Sequence, residues 1–364
     1  MTDFLNNLTT AQATLFSSIL SAIIAIAVIL INKHFESKKI KRKKYDTMKK
    51  YANPIIFAAE QLAWRIKEIL EFNGAYLLPN APMNGFFRYK FDSTVYRLCA
   101  VLGWIQAAKK EQSYLEGVKL KQHKKVQEAF IQFQKYLADG SHVEVSILDY
   151  LIQLFNLKTI TLTDYEKVLI GVELEKTVFR YIPDNIKKNT SLLDVNKQSE
   201  MLKEILDFIC IKTHQPQIGL DIIKEKRVPA ITEISREFCW IYRDWQSAIG
   251  DVMLKEIKGA TRRYDVIGFA EFQSIHEDNE WLKKVDGLFS SLDVSVDDRF
   301  DTRVQQLKQV FASCVEIINV LRTLINKLET IPDKSFQALN TYNCKINGIP
   351  QKKTRNKLIQ LVKN

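Results

Sequence analysis

Between Phe4 and Asn32 the chain carries no charged residue, and residues 13–31, ATLFSSILSAIIAIAVILI, are apolar or small throughout. As a helix this run is about 28 Å long, close to the ~30 Å hydrocarbon core of a bilayer. A cleaved signal peptide needs a basic start and a shorter apolar stretch, and this N-terminus has neither. A buried core helix seldom avoids charge for so long. The expectation is a single transmembrane helix, at about 13–31, inside an N-terminal segment 1–32. Ser17, Ser21 and Ala25 recur every four residues along it, a stripe of small side chains of the kind through which membrane helices associate.

Charge then orients the chain. Residues 33–50 hold nine Lys or Arg against Glu36 and Asp46, and residues 345–364 hold six with no acid. The formal charge of the whole chain is +11, so residues 51–344 are close to neutral and offer little electrostatic attraction to nucleic acid. The polybasic juxtamembrane segment, 33–50, is expected to stay in the cytoplasm of a plasma (inner) membrane protein, with the N-terminus outside and residues 33–364 inside. Lys38, Lys39, Lys41, Arg42, Lys43 and Lys44 are candidate contacts for anionic lipid headgroups, at about 1 kcal/mol each near the surface. The basic C-terminal tail, 345–364, is either a flexible arm or a second lipid contact.

For residues 51–344, the scarcity of glycine (12) and proline (8) and the recurrence of apolar residues at helical spacing predict an all-α fold, an elongated cytoplasmic helical bundle. Asn53-Pro54 reads as a helix opening and Asn73-Gly74 as its stop. Further helices are expected from Asp92-Ser93, over 115–138, within VSILDYLIQLF and DYEKVLIGVELEKTVF, and over 197–211, with TITLT as a short strand. The clearest seam is Phe300, Val304, Leu307, Phe311, Cys314, Ile318, Leu321, Ile325 and Leu328. Residues 231–257 also read as one buried helix, with Ile231, Ile234, Phe238, Ile241, Trp245, Ala248 and Val252 on its seam. Arg243, Gln246 and Gly250 fall on another side, a polar and close-packing cluster that a neighbouring helix is expected to approach.

Three stretches, YANPIIFAAEQLAWRIKEIL (51–70), STVYRLCAVLGWIQAAKKE (93–111) and IYRDWQSAIGDVM (241–253), resemble an uncharacterised group of bacterial proteins. In that group a short anchor precedes a helical domain with a Pro-led first helix, a Gly-Trp second helix and a Gln-Arg-Ala-Ile-Gly-Glu motif. VIGFAEF (266–272) fits the same pattern, and the likeness extends over most of residues 51–330. Pro54, Gly103, Trp104, Gln246, Ala248, Ile249 and Gly250 match the pattern. Trp245, Ser247 and Asp251 stand where the group usually has Glu, Arg and Glu. The resemblance implies a membrane-anchored helical protein and brings no activity with it.

No H-E-x-x-H, G-x-S-x-G, Walker A or G-x-G-x-x-G motif is present. The five cysteines are widely spaced and unpaired by any C-x-x-C, which fits a reducing compartment. His276 lies among Glu271, Glu277, Asp278 and Glu280 and reads as part of a solvated acidic face. Glu60, Arg65 and Arg97 are expected to meet Asp244 or Asp251 inside the bundle. No catalytic residue, metal ligand or cofactor is assigned. The expected function is a membrane-tethered scaffold or sensor binding a protein or small ligand, with anionic lipid and a protein partner or second copy as partners. The alternatives are an oligomeric membrane-perturbing effector, for example in phage defence, and an enzyme whose site is assembled from separate helices.

Overall fold

The apolar run ends at residue 31, but the helix that carries it, α1 (Thr10–Phe72), continues unbroken into the centre of the protein. The computed structural model describes residues 10–113, 121–138, 143–158, 162–182, 190–259, 261–295, 301–325 and 331–348. Phe300, Leu328, residues 159–161 of TITLT, the side chain of Phe238, and residues 349–364 of the basic tail lie outside the described residues.

At 63 residues, α1 has a contour of about 95 Å. Its first part is long and apolar enough to cross a membrane, over Ser17–Ile40, and none of that stretch is buried. From Met48 onward the same helix becomes the spine of the core. Met48, Tyr51, Ile55, Ala59, Leu62, Ile66 and Ile69 are all fully buried at three- and four-residue steps. Pro54 therefore lies inside a helix and does not open one. Proline costs about 3 kcal/mol in a helix interior, because it has no N–H for the carbonyl four residues back. Burial of Tyr51, Ala52, Ile55 and Ile56 around it offsets that cost. The stop is where it was expected: Asn73 takes φ 54° and its N–H donates to the Ile69 carbonyl at 3.0 Å.

Helix α2 (Gly85–Ser113) begins before the expected Asp92, because the Asn84 side chain accepts from the Phe87 N–H at 3.1 Å and caps it earlier. Then follow α3 (Lys121–Leu137), α4 (Val143–Leu154), α5 (Asp164–Tyr181), α6 (Val195–Lys212) and α7 (Leu220–Ile234). Val126, Phe130, Phe133 and Leu137 are buried on α3, as their spacing predicts. Thr163 and Glu166 form a capping box at the start of α5, and Asp194 caps α6.

The single helix expected over residues 231–257 is not formed. After α7 come a 3-10 turn at Arg236–Cys239, an extended step, and then α8 (Arg243–Val252). The chain goes on into a hairpin of β1 (Leu254–Glu256) and β2 (Tyr264–Val266), antiparallel with Lys255 opposite Asp265. The short helices α9 (Phe269–His276), α10 (Glu280–Lys283) and α11 (Asp286–Phe289) lead to α12 (Thr302–Leu324) and α13 (Asp333–Ile346). Among the described residues that hairpin is the only sheet, so the fold is all-α.

Two groups of helices result. In the larger, α1 packs between α2 and α12, α3 packs on α12, and α8 packs on α2. The α12 seam is buried from Val304 through Leu307, Phe311, Cys314, Ile318 and Leu321 to Ile325. In the smaller group, α4, α5, α6 and α7 pack mainly on one another.

Candidate functional site: a polar cleft between the helical groups

The sequence-derived candidates do not converge. On α1, Lys38, Lys39, Arg42 and Lys43 are exposed, and the side chains of Lys41 and Lys44 lie outside the described residues. Ser17, Ser21 and Ala25 are exposed on the apolar part of α1. Arg243, Gln246 and Gly250 share α8 but face three different surroundings. Arg243 is exposed. Gln246 is buried, and its Nε2 donates to the carbonyls of Gln134 at 2.9 Å and Ile241 at 2.7 Å. It thereby ties the last turn of α3 to the extended step before α8. Gly250 meets α2, where an added Cβ would lie 2.7 Å from the Gln106 Cβ and 3.3 Å from the Leu102 carbonyl oxygen. Helix α2 approaches Gly250 and the last turn of α3 approaches Gln246, and the three residues form no common site.

The expected ion pairs to Asp244 or Asp251 are also absent among the described residues. Arg65 meets the Tyr76 hydroxyl at 3.2 Å and Glu68 at 3.4 Å. Arg97 donates to the Gln61 carbonyl, Glu60 accepts from Ser335, and Asp251 pairs with Lys110. His276 corrects the sequence reading most sharply. It is 1% exposed, stacks on Phe272, and its Nε2 lies 2.9 Å from Asp286 Oδ1. Its Nδ1 lies 3.6 Å from Asp92, itself buried and held by Arg88 at 2.8 Å. The acidic neighbours in sequence are not its partners. This cluster joins α2, α9 and α11.

Besides a smaller pocket of about 350 Å³ beside Arg65 and Arg97, a cleft of about 650 Å³ opens where the two helical groups meet. That volume lies in the ~300–1,000 Å³ range of small-molecule sites, which favour such junctions. Helix α3 contributes Gln132, Lys135 and Tyr136, at the i, i+3, i+4 spacing of one helical face. Helix α12 contributes Thr302, Gln305, Gln306 and Gln309, again one face, beside the apolar seam that buries Val304 and Leu307. From the smaller group come Tyr150 and Glu233, with Arg236 from the turn and Trp240 from the extended step that interrupt the expected long helix.

Three lining residues are deep: Glu233 and Gln306 are each 7% exposed and Trp240 is 6% exposed. The Arg236 guanidinium lies over the Trp240 ring at 5.3 Å and pairs with Glu233 at 2.8 Å. Burial pushes the Glu233 carboxyl above its ordinary range, while Arg236 pulls it back in part. Gln306 Nε2 donates to the Leu137 carbonyl at 3.1 Å. Its Oε1, like Arg236 Nε, is buried with no hydrogen-bond partner among the described residues. Buried polar atoms are rarely left so. Sequence reasoning passed over this cleft because its residues come from four separate helices and the segment that follows α7. The available signal was the Thr302, Gln305, Gln306, Gln309 stripe, a polar face running alongside the strongest apolar seam in the chain.

Set against protein-family models, curated proteins and solved structures, the chain matches none.

Proposed function

We propose that the protein is a membrane-tethered sensor or scaffold whose helical body lies on the cytoplasmic side and takes a ligand or partner. The observation that carries this reading is the continuity of α1, exposed and apolar at one end and the fully buried spine of the core at the other. A flexible linker would uncouple the two ends. An unbroken helix carries a displacement of the span directly to the packing of α2 and α12 around Ile55, Leu62 and Ile66.

The same helix sets distances. From Ile31 to Met48, the first buried residue among those described, the rise is about 25 Å. For an upright span, Lys38 and Lys39 stand about 10–12 Å beyond the apolar run, near a Debye length of ~8 Å at physiological salt. Arg42 and Lys43 stand further out and reach the headgroups through tilt. The excess of Lys and Arg in residues 33–50 supports the orientation with this segment inside.

The test is fractionation with a topology label. The full chain is expected in the membrane pellet after an alkaline wash, and a chain lacking residues 10–31 in the supernatant. A cysteine placed at Thr2 is expected to react with a membrane-impermeant reagent in intact cells, whereas one placed at Ser335 is not. A full chain that washes off, or the reverse labelling, overturns the reading.

A further inference from the structure

Helix α5 is apolar on two opposite sides, and packing within the smaller helical group covers one of them. Ile170, Gly171, Leu174, Thr177 and Val178 are buried, in a helix that packs on α4 and α6. On the far side Tyr165, Val168, Leu169, Val172 and Phe179 are exposed, Tyr165 by 72% and Phe179 by 53%. We infer that this outer face is a self-association surface, on which α5 packs antiparallel against α5 of a second copy about a two-fold axis at Val172. The inference goes beyond the sensor reading and takes from it only that the copies share one membrane.

The spacing defines a stripe. Tyr165, Val172 and Phe179 recur every seven residues, with Val168 and Leu169 between the first two, as in the seam of packed helices. A helix with one face in the core ordinarily turns polar residues to water on the other. The five exposed side chains leave on the order of 400 Å² of apolar surface uncovered, an extent that often marks a binding face. Lys176 is the charge that falls within the stripe. Its ammonium pairs with Glu173 at 2.6 Å, which leaves the stem free to lie along apolar neighbours.

The order of charges selects a reversed second copy. Asp164 and Glu166 stand in the first turn of α5, and Arg180 in the last. Asp164 lies eight residues before Val172 and Arg180 eight after it, so a two-fold axis there sets each level with the other in the second copy. The same axis sets Tyr165 level with Phe179. Arg180 pairs with Glu204 at 2.8 Å, yet its side chain is 59% exposed and a guanidinium has five donors. Antiparallel helices also oppose their macrodipoles, whereas a parallel pair would bring like charges together.

A lipid surface fits this face less well. Helices that lie on anionic membranes carry Lys and Arg beside the apolar stripe, whereas α5 holds Asp164, Glu166, Glu173 and Glu175 against Lys167, Lys176 and Arg180. The uncovered apolar area is about half of the ~800 Å² that each partner gives to a standard interface. The contact is therefore weak between free chains and becomes populated where a tether concentrates them.

The test uses the full chain in lipid vesicles, with Cys344→Ser to remove the half-buried thiol; Cys99, Cys210, Cys239 and Cys314 are buried. Under mild oxidation Val172→Cys is expected to form a disulfide-linked dimer at least ten-fold faster than Tyr165→Cys, whose two copies would stand about 21 Å apart along the helix. Tyr165→Cys mixed with Phe179→Cys is expected to give the mixed dimer. Val172→Glu, at an exposed position, is expected to weaken dimerisation of the full chain in detergent ten-fold or more with unchanged circular dichroism. Equal crosslinking at all positions, or a Val172→Glu chain that dimerises like wild type, overturns the inference. So does a Val172→Cys chain that forms no dimer while lipid shields it from a water-soluble maleimide, or one that crosslinks only after residues 349–364 are removed, which would assign the face to lipid or to the tail. The alkaline wash reports on the tether separately, and dimerisation in detergent does not depend on it.

Discussion

Gly250 on α8 lies so close to Gln106 on α2 that a methyl group in place of its hydrogen would sit 2.7 Å from the Gln106 Cβ. Gly103 completes the same crossing from α2, where an added Cβ would fall 2.8 Å from Met253 Cβ and 3.1 Å from a Val266 methyl. Both Gly250→Ala and Gly103→Ala are expected to destabilise the protein by about 1–3 kcal/mol, the usual penalty for overpacking. The sign is informative, because alanine at an open helical glycine would stabilise by up to ~1 kcal/mol. Denaturant unfolding of each variant measures it, and a stabilised variant would show that the helices are not in contact there.

Gln246 fixes the place where the expected long helix is broken. Gln246→Met keeps the length of the side chain and removes the donor to the Gln134 and Ile241 carbonyls. A loss of about 1–3 kcal/mol is expected. Hydrogen exchange is expected to quicken at the Ile241 N–H, which donates to the Leu137 carbonyl at 2.9 Å. Unchanged protection at Ile241 would argue that the break is held by other contacts.

Tyr51 is fully buried where α1 enters the body, and its hydroxyl donates to Glu111 while accepting from the Tyr264 N–H at 3.2 Å. Burial, with the Glu111 carboxylate, pushes the phenol pKa up, so the group stays neutral and keeps its proton for Glu111. Tyr51→Phe is expected to cost about 1–3 kcal/mol and to expose the amides of β2 to exchange. If β2 protection survives, the hairpin is not anchored through α1.

Glu233 provides a pH test of the cleft. Its folded pKa is raised by burial above the ordinary 4.5, with Arg236 opposing. Between those two values the folded state holds more protons than the unfolded state, so the Glu233 contribution to stability falls as pH rises. Wild type is therefore expected to lose stability relative to Glu233→Gln from about pH 4.5 upward, levelling off above the folded pKa. A constant difference from pH 4 to 7 would mean that the carboxyl is solvated.

Much of this fold is legible in local pattern. The uncharged run at 13–31, the buried face of α3 and the Val304–Ile325 seam depend on spacing alone, because a helix brings residues three and four apart onto one side wherever it sits. The helix stop at Asn73 is equally local, since its backbone conformation and its bond to Ile69 need only the preceding turn.

The breaks and the sites depend on partners distant in the chain. Ile231, Ile234, Ile241, Trp245 and Val252 keep helical spacing, yet the helix gives way because Ile241 and Gln246 bond to Leu137 and Gln134. Asn53-Pro54 has the residues of a helix start, but burial of α1 on both sides of it carries the helix through. His276 has acidic neighbours in sequence and is claimed instead by Asp92 and Asp286. The cleft needs Gln306, Glu233 and Tyr136 together, which no window of sequence contains. Periodicity says which face of a helix is apolar, but only packing chooses the neighbour that covers it, and hydrogen bonds made across that packing decide where a helix ends.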